Sequence, residues 1–142
     1  MNIQNKNIVI TGAANGIGHA LAKRMSEESP KSISLIDINS SLKEVAGSLN
    51  AESYIVDVSN EHDFQTILKD IINKNGSIDL FCSNAGIQQF GTLETSTIDW
   101  QKNWDVNVMS HIYAAKVLIP QMKKQGSGYL LLTVSAAGLL NM

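Results

Sequence analysis

The chain has 142 residues, 44% of them apolar and 17% charged, with a formal net charge of −2, enough material for one domain and its hydrophobic core. Its 11 basic residues are scattered, which speaks against nucleic acid as a partner, and its apolar runs are far too short to span a bilayer. The first residues lack the apolar core of a signal peptide, and the single cysteine, Cys82, cannot form an internal disulfide; both fit a reducing cytoplasm.

Strand-like and helix-like segments alternate along the chain, the pattern of a parallel sheet with helices on its faces. Lys6–Thr11, with the apolar run Ile8-Val9-Ile10, reads as the first strand. It turns directly into Thr11-Gly12-Ala13-Ala14-Asn15-Gly16-Ile17-Gly18, which opens a helix from Gly16 to about Glu28 with Ile17, Leu21 and Met25 at helical spacing. Such a turn leaves the first N–H groups of the helix unpaired, and with the positive end of the helix dipole they suit a phosphate. Gly12 then allows the tight turn, Gly16 lets backbone approach a pyrophosphate, and Gly18 lets the helix pack close to the sheet. His19-Ala20 stand where a P-loop needs lysine and a hydroxyl residue, so the turn is not a P-loop. By itself it reads equally well as an ordinary tight turn. The second strand, Ser32–Ile36, ends in Asp37, an acid about 20 residues past the turn and placed to accept hydrogen bonds from an adenosine ribose. The plainer reading of Asp37 is a cap on the following turn.

Ser40 or Ser41 can cap a short helix carrying Leu42, Val45 and Leu49. Strand three is expected over Ser53–Asp57, with Tyr54-Ile55-Val56 buried. Asn60 caps a helix with Phe64, Ile67, Leu68, Ile71 and Ile72 on one face, ending before Gly76. Strand four is Ile78–Ser83, with Cys82 as a core residue. A polar stretch from Gln88 to Ser96 leads to a long helix, Thr97–Gln125, along which Trp100 and Trp104 are expected to pack. Gly126-Ser127-Gly128 ends it, and Tyr129–Ser135 is the fifth strand. Right-handed crossovers give the order 3-2-1-4-5, with a ligand crevice beyond the strand C-termini. Gly12, Asp37, Asp57, Asn84 and Ser135 all fall at that edge. His19, His62 and His111 have no zinc-ligand spacing, so no metal site is expected.

The motif T-G-x-x-x-G-I-G, the acid closing strand two, Asp57-Val58, Asn84-Ala85-Gly86, Asn107 and Ser135 resemble, in order and rough spacing, the short-chain dehydrogenase/reductase family. The resemblance implies one NAD(P)-binding domain over residues 1–142, a Rossmann-type doubly wound parallel sheet truncated after the fifth strand. It implies a homo-oligomer acting on a small alcohol or ketone, with the cofactor held by Gly12, Asn15, Gly16, Ile17, Gly18, Asp37, Asp57, Val58, Asn84, Ala85 and Gly86. Asp57-Val58 is similar to the family's adenine-contacting pair. Asn84-Ala85-Gly86 is similar to its N-N-A-G, with Ser83 replacing the first asparagine. Asn107, otherwise a solvent-facing residue, matches an asparagine that kinks the long helix and holds a water in a proton relay. Ser135, in Thr133-Val134-Ser135-Ala136-Ala137-Gly138, matches the serine that hydrogen-bonds the substrate oxygen. A carboxylate at Asp37 repels a 2′-phosphate, and Ile38 and Asn15 stand at the usual basic positions, so NAD is favoured over NADP.

The family's general base is a tyrosine in Tyr-x-x-x-Lys about a dozen residues after that serine, and the sequence reaches Met142 before that point. Tyr54 and Tyr129 are strand residues, and Tyr113 is followed by Lys116, one position short and on the wrong helix, a packing pair. The expectation is therefore a truncated oxidoreductase without its base; the alternative is a non-catalytic dinucleotide-binding or regulatory module. The fifth strand would then be an exposed edge, so the isolated chain should self-associate or leave its C-terminus disordered.

Overall fold

The computed structural model describes residues 2–88 and 91–136, so Ala137 and Gly138 of the serine-containing run lie outside the described residues. Five parallel strands, β1 (Asn7–Thr11), β2 (Ser32–Asp37), β3 (Glu52–Ile55), β4 (Leu80–Ser83) and β5 (Tyr129–Leu132), form one sheet in the order β3-β2-β1-β4-β5. Among the described residues five α-helices accompany them: α1 (Gly16–Ser26), α2 (Leu42–Ser48), α3 (Glu61–Asn75), α4 (Thr97–Trp104) and α5 (Ser110–Gln125). This is the expected Rossmann-type topology. The strand order reverses between β1 and β4, and there a crevice opens above the strand C-termini.

Period-two alternation in β1 feeds two cores. Ile8 and Ile10 point to one face, against Ala22 of α1 and Leu42 of α2. Val9 points to the other, with Phe64, Leu68 and Ile71 of α3 and Leu118 of α5. Burial on both faces explains why the central strands read as continuous apolar runs. The local punctuation behaves as its chemistry requires. The Asn60 side chain accepts from the Asp63 N–H at 3.2 Å and starts α3, and Gly76, at φ 84°, ends it in the left-handed region.

Several expectations need correction. β3 stops at Ile55, which is 42% exposed because β3 is an outer strand, so Tyr54-Ile55-Val56 is not a buried run. β5 stops at Leu132 rather than Ser135. Ser41 precedes α2 without a side-chain capping bond; instead the Asn39 Oδ1 accepts from the Ser41 N–H at 2.9 Å. The long helix is interrupted by a π-turn over Asp105–Met109, centred on Asn107. Trp100 and Trp104 are 60% and 55% exposed, since α4 buries none of its residues. Among the described residues no helix is long and apolar enough to cross a membrane.

Candidate functional site

The glycine turn is built by close approach. Gly12 sits at φ 67°, its N–H donates to the Ile36 carbonyl at 2.8 Å, and a Cβ there would lie 2.8 Å from the Ala85 Cα. At Gly18 a Cβ would lie 2.0 Å from the Gly12 carbonyl oxygen, so α1 packs directly beneath the turn. Gly16 differs: its φ is 54°, yet a Cβ there would meet nothing within 4 Å. Its conformation favours glycine, and its outer face is open. In α1 the His19 N–H returns to the Asn15 carbonyl at 3.1 Å. The N–H groups ahead of it belong to a helix N-terminus that opens onto the crevice at Gly16 and Ile17.

Asp37 makes the turn cap and a second bond besides. Its Oδ1 accepts from the Asn39 N–H at 2.9 Å, a turn cap, and its Oδ2 accepts from the Ala14 N–H at 2.9 Å, which ties the glycine turn to the end of β2. Each carboxylate oxygen retains acceptor capacity beyond these bonds. Asp57 makes a local turn, its Oδ1 accepting from the Ser59 N–H at 2.9 Å and the Ser59 Oγ at 2.7 Å, while Val58 is buried beside it.

The opposite wall rests on a residue whose role the sequence did not reveal. Thr11 is buried, and its Oγ1 accepts from the Asn84 N–H at 2.9 Å and the Ala85 N–H at 3.0 Å. The Asn84 side chain donates to the Thr11 carbonyl at 3.2 Å and accepts from the Thr133 Oγ1 at 3.0 Å, knitting together the ends of β1, β4 and β5. Asn107 is not solvent-facing. Its amide clamps Ile87, accepting from the N–H and donating to the carbonyl, both at 2.9 Å, and donates to the Asn103 Oδ1 at 3.0 Å.

A crevice of about 560 Å³ results, within the ordinary range for small-molecule sites. Gly12, Asn15, Gly16, Ile17, Asp37, Asp57, Val58, Asn84, Ala85 and Gly86 all line it, and Gly18 lies below. Ile38, Ile87, Val106, Lys102 and Thr133 line it too. Only the helical spacing of Lys102 and Val106, four apart, could have pointed to two of these. Asn107 stands behind the lining, and Ser135 is exposed past the end of β5, outside it. Burial pushes the Cys82 thiol up to about 12, and burial together with the Glu52 carboxylate pushes the Tyr54 phenol up to about 12. Neither is poised for chemistry near neutral pH. None of Tyr54, Tyr113 and Tyr129 lines the crevice.

Comparison with known proteins agrees with this architecture. The family model described as short chain dehydrogenase matches residues 6–142. An uncharacterised oxidoreductase of Thermotoga maritima is 33% identical, with 100% of this chain and 58% of that protein covered. The meso-2,3-butanediol dehydrogenase of Serratia marcescens is also 33% identical, over 98% of this chain and 57% of its own length. A solved short chain dehydrogenase/reductase from Burkholderia phymatum, in complex with NAD, superposes with a TM-score of 0.92 at 31% identity, covering 100% of this chain and 53% of that one. The chain thus spans 57% and 58% of the length of these two curated relatives. Matched by the family model over nearly all of its length, and carrying the parallel sheet, the glycine turn and the acid beside it, the chain belongs to the short chain dehydrogenase family.

Proposed function

We propose that the crevice holds NAD, and that the chain is the nucleotide-holding part of an oxidoreductase passing a hydride between the nicotinamide and a small alcohol or ketone. One observation carries the reading: the open helix N-terminus at Gly16 and the Asp37 carboxylate, already bonded to the turn, border the same crevice. The N–H groups at Gly16 and Ile17 would take the diphosphate. Asp37 would accept from the adenosine ribose, Asp57 and Val58 would hold the adenine, and Asn84, Ala85 and Gly86 would pass the nicotinamide ribose. When bound, NAD would supply the hydride chemistry. Ser135 would donate to the substrate oxygen, a role that its place past β5 at the C-terminal edge of the sheet supports. Asn107 would act from behind by holding Ile87 in place. NAD is preferred to NADP because a 2′-phosphate would meet the Asp37 carboxylate, with Ile38 rather than a basic residue beside it. The reading includes self-association through β5, an edge strand with exposed Tyr129, Leu131 and Leu132.

Calorimetric titration of the chain with NAD and NADP, repeated on Asp37→Ala, tests the reading. Binding of NAD about tenfold tighter than NADP is expected, with Asp37→Ala losing about tenfold in NAD affinity and most of the preference. Equal affinities would overturn the cofactor choice, and binding of neither would overturn the nucleotide reading.

A further inference from the structure

His111 is the second residue of α5, immediately past the π-turn, and its ring is half-buried. The Nδ1 stands 2.6 Å from the Oγ of Ser83, the last residue of β4 and only 3% exposed. Within the π-turn the helical ladder is widened, and the Ser110 N–H reaches the Asp105 carbonyl five residues back. A side chain supplies a contact that the widened ladder omits. The Ser110 Oγ donates to the Val106 carbonyl at 2.6 Å. The π-turn and its first neighbours therefore reach the loop Asn84–Ile87 twice: through Asn107 at Ile87, and through His111 at Ser83 just before the loop begins.

We propose that His111 is a positioning residue of the crevice: by bridging Ser83 to the π-turn it fixes the start of the loop Asn84–Ile87, as Asn107 fixes its end. Its meaning for function rests on the nucleotide reading above. The Ser83 hydroxyl donates or accepts, so the contact forms with either tautomer of the ring. Burial holds the imidazole below the usual histidine range, with the Asn107 backbone contact acting the other way; this suits a neutral bridging ring. An apolar side chain in its place would leave a buried hydroxyl on Ser83 without this partner.

The test is a double-mutant cycle of Ser83→Ala and His111→Leu, with His111→Asn and His111→Gln alongside. Amide hydrogen exchange at Ala85 and Ile87 is read without nucleotide, and NAD affinity is read by calorimetry. Either single variant should raise the exchange rates about tenfold, the double variant no further, and a Lys116→Ala control on the same helix should leave them unchanged. His111→Asn, whose amide falls near the Nδ1 position, should restore exchange to within about twofold, and His111→Gln should not. NAD affinity should fall about tenfold in His111→Leu and recover in His111→Asn. Unchanged exchange, additive single effects, or raised exchange with undiminished NAD binding would each overturn the proposal. If His111→Leu does not fold, equal behaviour of the Asn and Gln variants would overturn it. A wild-type chain that binds no NAD would sink the nucleotide reading instead, while the exchange measurements would still judge the bridge.

Discussion

Gly16 and Gly18, two positions apart, owe their lack of a side chain to opposite causes. At Gly18 a methyl group would press to 2.0 Å on the backbone oxygen of Gly12, and backbone in a closed turn cannot yield. Gly18→Ala should cost about 3 kcal/mol or more of stability. At Gly16 a methyl group would meet open space and only the left-handed conformation would be strained. Gly16→Ala should cost about 1–2 kcal/mol, while weakening NAD binding more than that loss explains. Urea denaturation of both variants checks the ranking, and a Gly16→Ala chain less stable than Gly18→Ala would contradict it. The same scale holds Asp37, where one carboxylate both caps a turn and secures the glycine loop through the Ala14 N–H. The sequence shows the acid and its distance from the loop; the bond to Ala14 needs the two strands laid side by side.

At the scale of elements, β4 is four residues long and buried throughout, paired with β1 on one side and β5 on the other. Its Cys82 thiol, raised by burial from 9.0 to about 12, gives the strand a pH signature. Between those values the unfolded chain releases the thiol proton and the folded chain keeps it. Stability from this group is therefore complete below about pH 9 and is lost as pH rises toward 12. Denaturant midpoints should fall more steeply above pH 9 in the wild type than in Cys82→Ala, and the two slopes should match below it. Parallel slopes throughout would show that the thiol ionises freely in the folded state. The helical run from Thr97 to Gln125 carries a different lesson. Asparagine's poor helix propensity marks Asn107 as an odd residue there, but propensity says nothing of the direction in which the helix gives way. The π-turn forms where Asn107 reaches Ile87, a partner 20 residues away.

Across the whole molecule, the two cores lie on either side of one sheet, and one outer strand remains apolar. β5 exposes Tyr129 by 60%, Leu131 by 46% and Leu132 by 44%, and Val134 beyond it by 78%. Among the described residues β5 pairs with β4 on one side only, and the self-association proposed above would use that edge. Light scattering over a concentration series should show dimers or larger species, and Leu131→Lys, a charge on that edge, should shift them toward monomer. A monomer at every concentration, or association untouched by Leu131→Lys, would remove β5 as the contact.

Features that depend on neighbours in sequence were legible without the fold. The strand-to-helix glycine turn, the Asn60 cap, the left-handed stop at Gly76, the acid ending β2 and the alternation that yields the order β3-β2-β1-β4-β5 all follow from local backbone chemistry and periodicity. Those signals also placed Gly12, Asp37, Asp57 and Asn84 at one crevice, because they mark strand C-termini and a parallel sheet gathers these at one edge. Features that depend on distant partners were decided only when the chain closed on itself. Thr11 braces Asn84 from 73 residues away, and His111 meets Ser83 across 28. Exposure of Ile55, Trp100 and Trp104 turns on what happens to lie opposite them. Apolar composition predicts burial only when another surface is there to provide it, and that is a property of the assembled molecule rather than of any stretch within it.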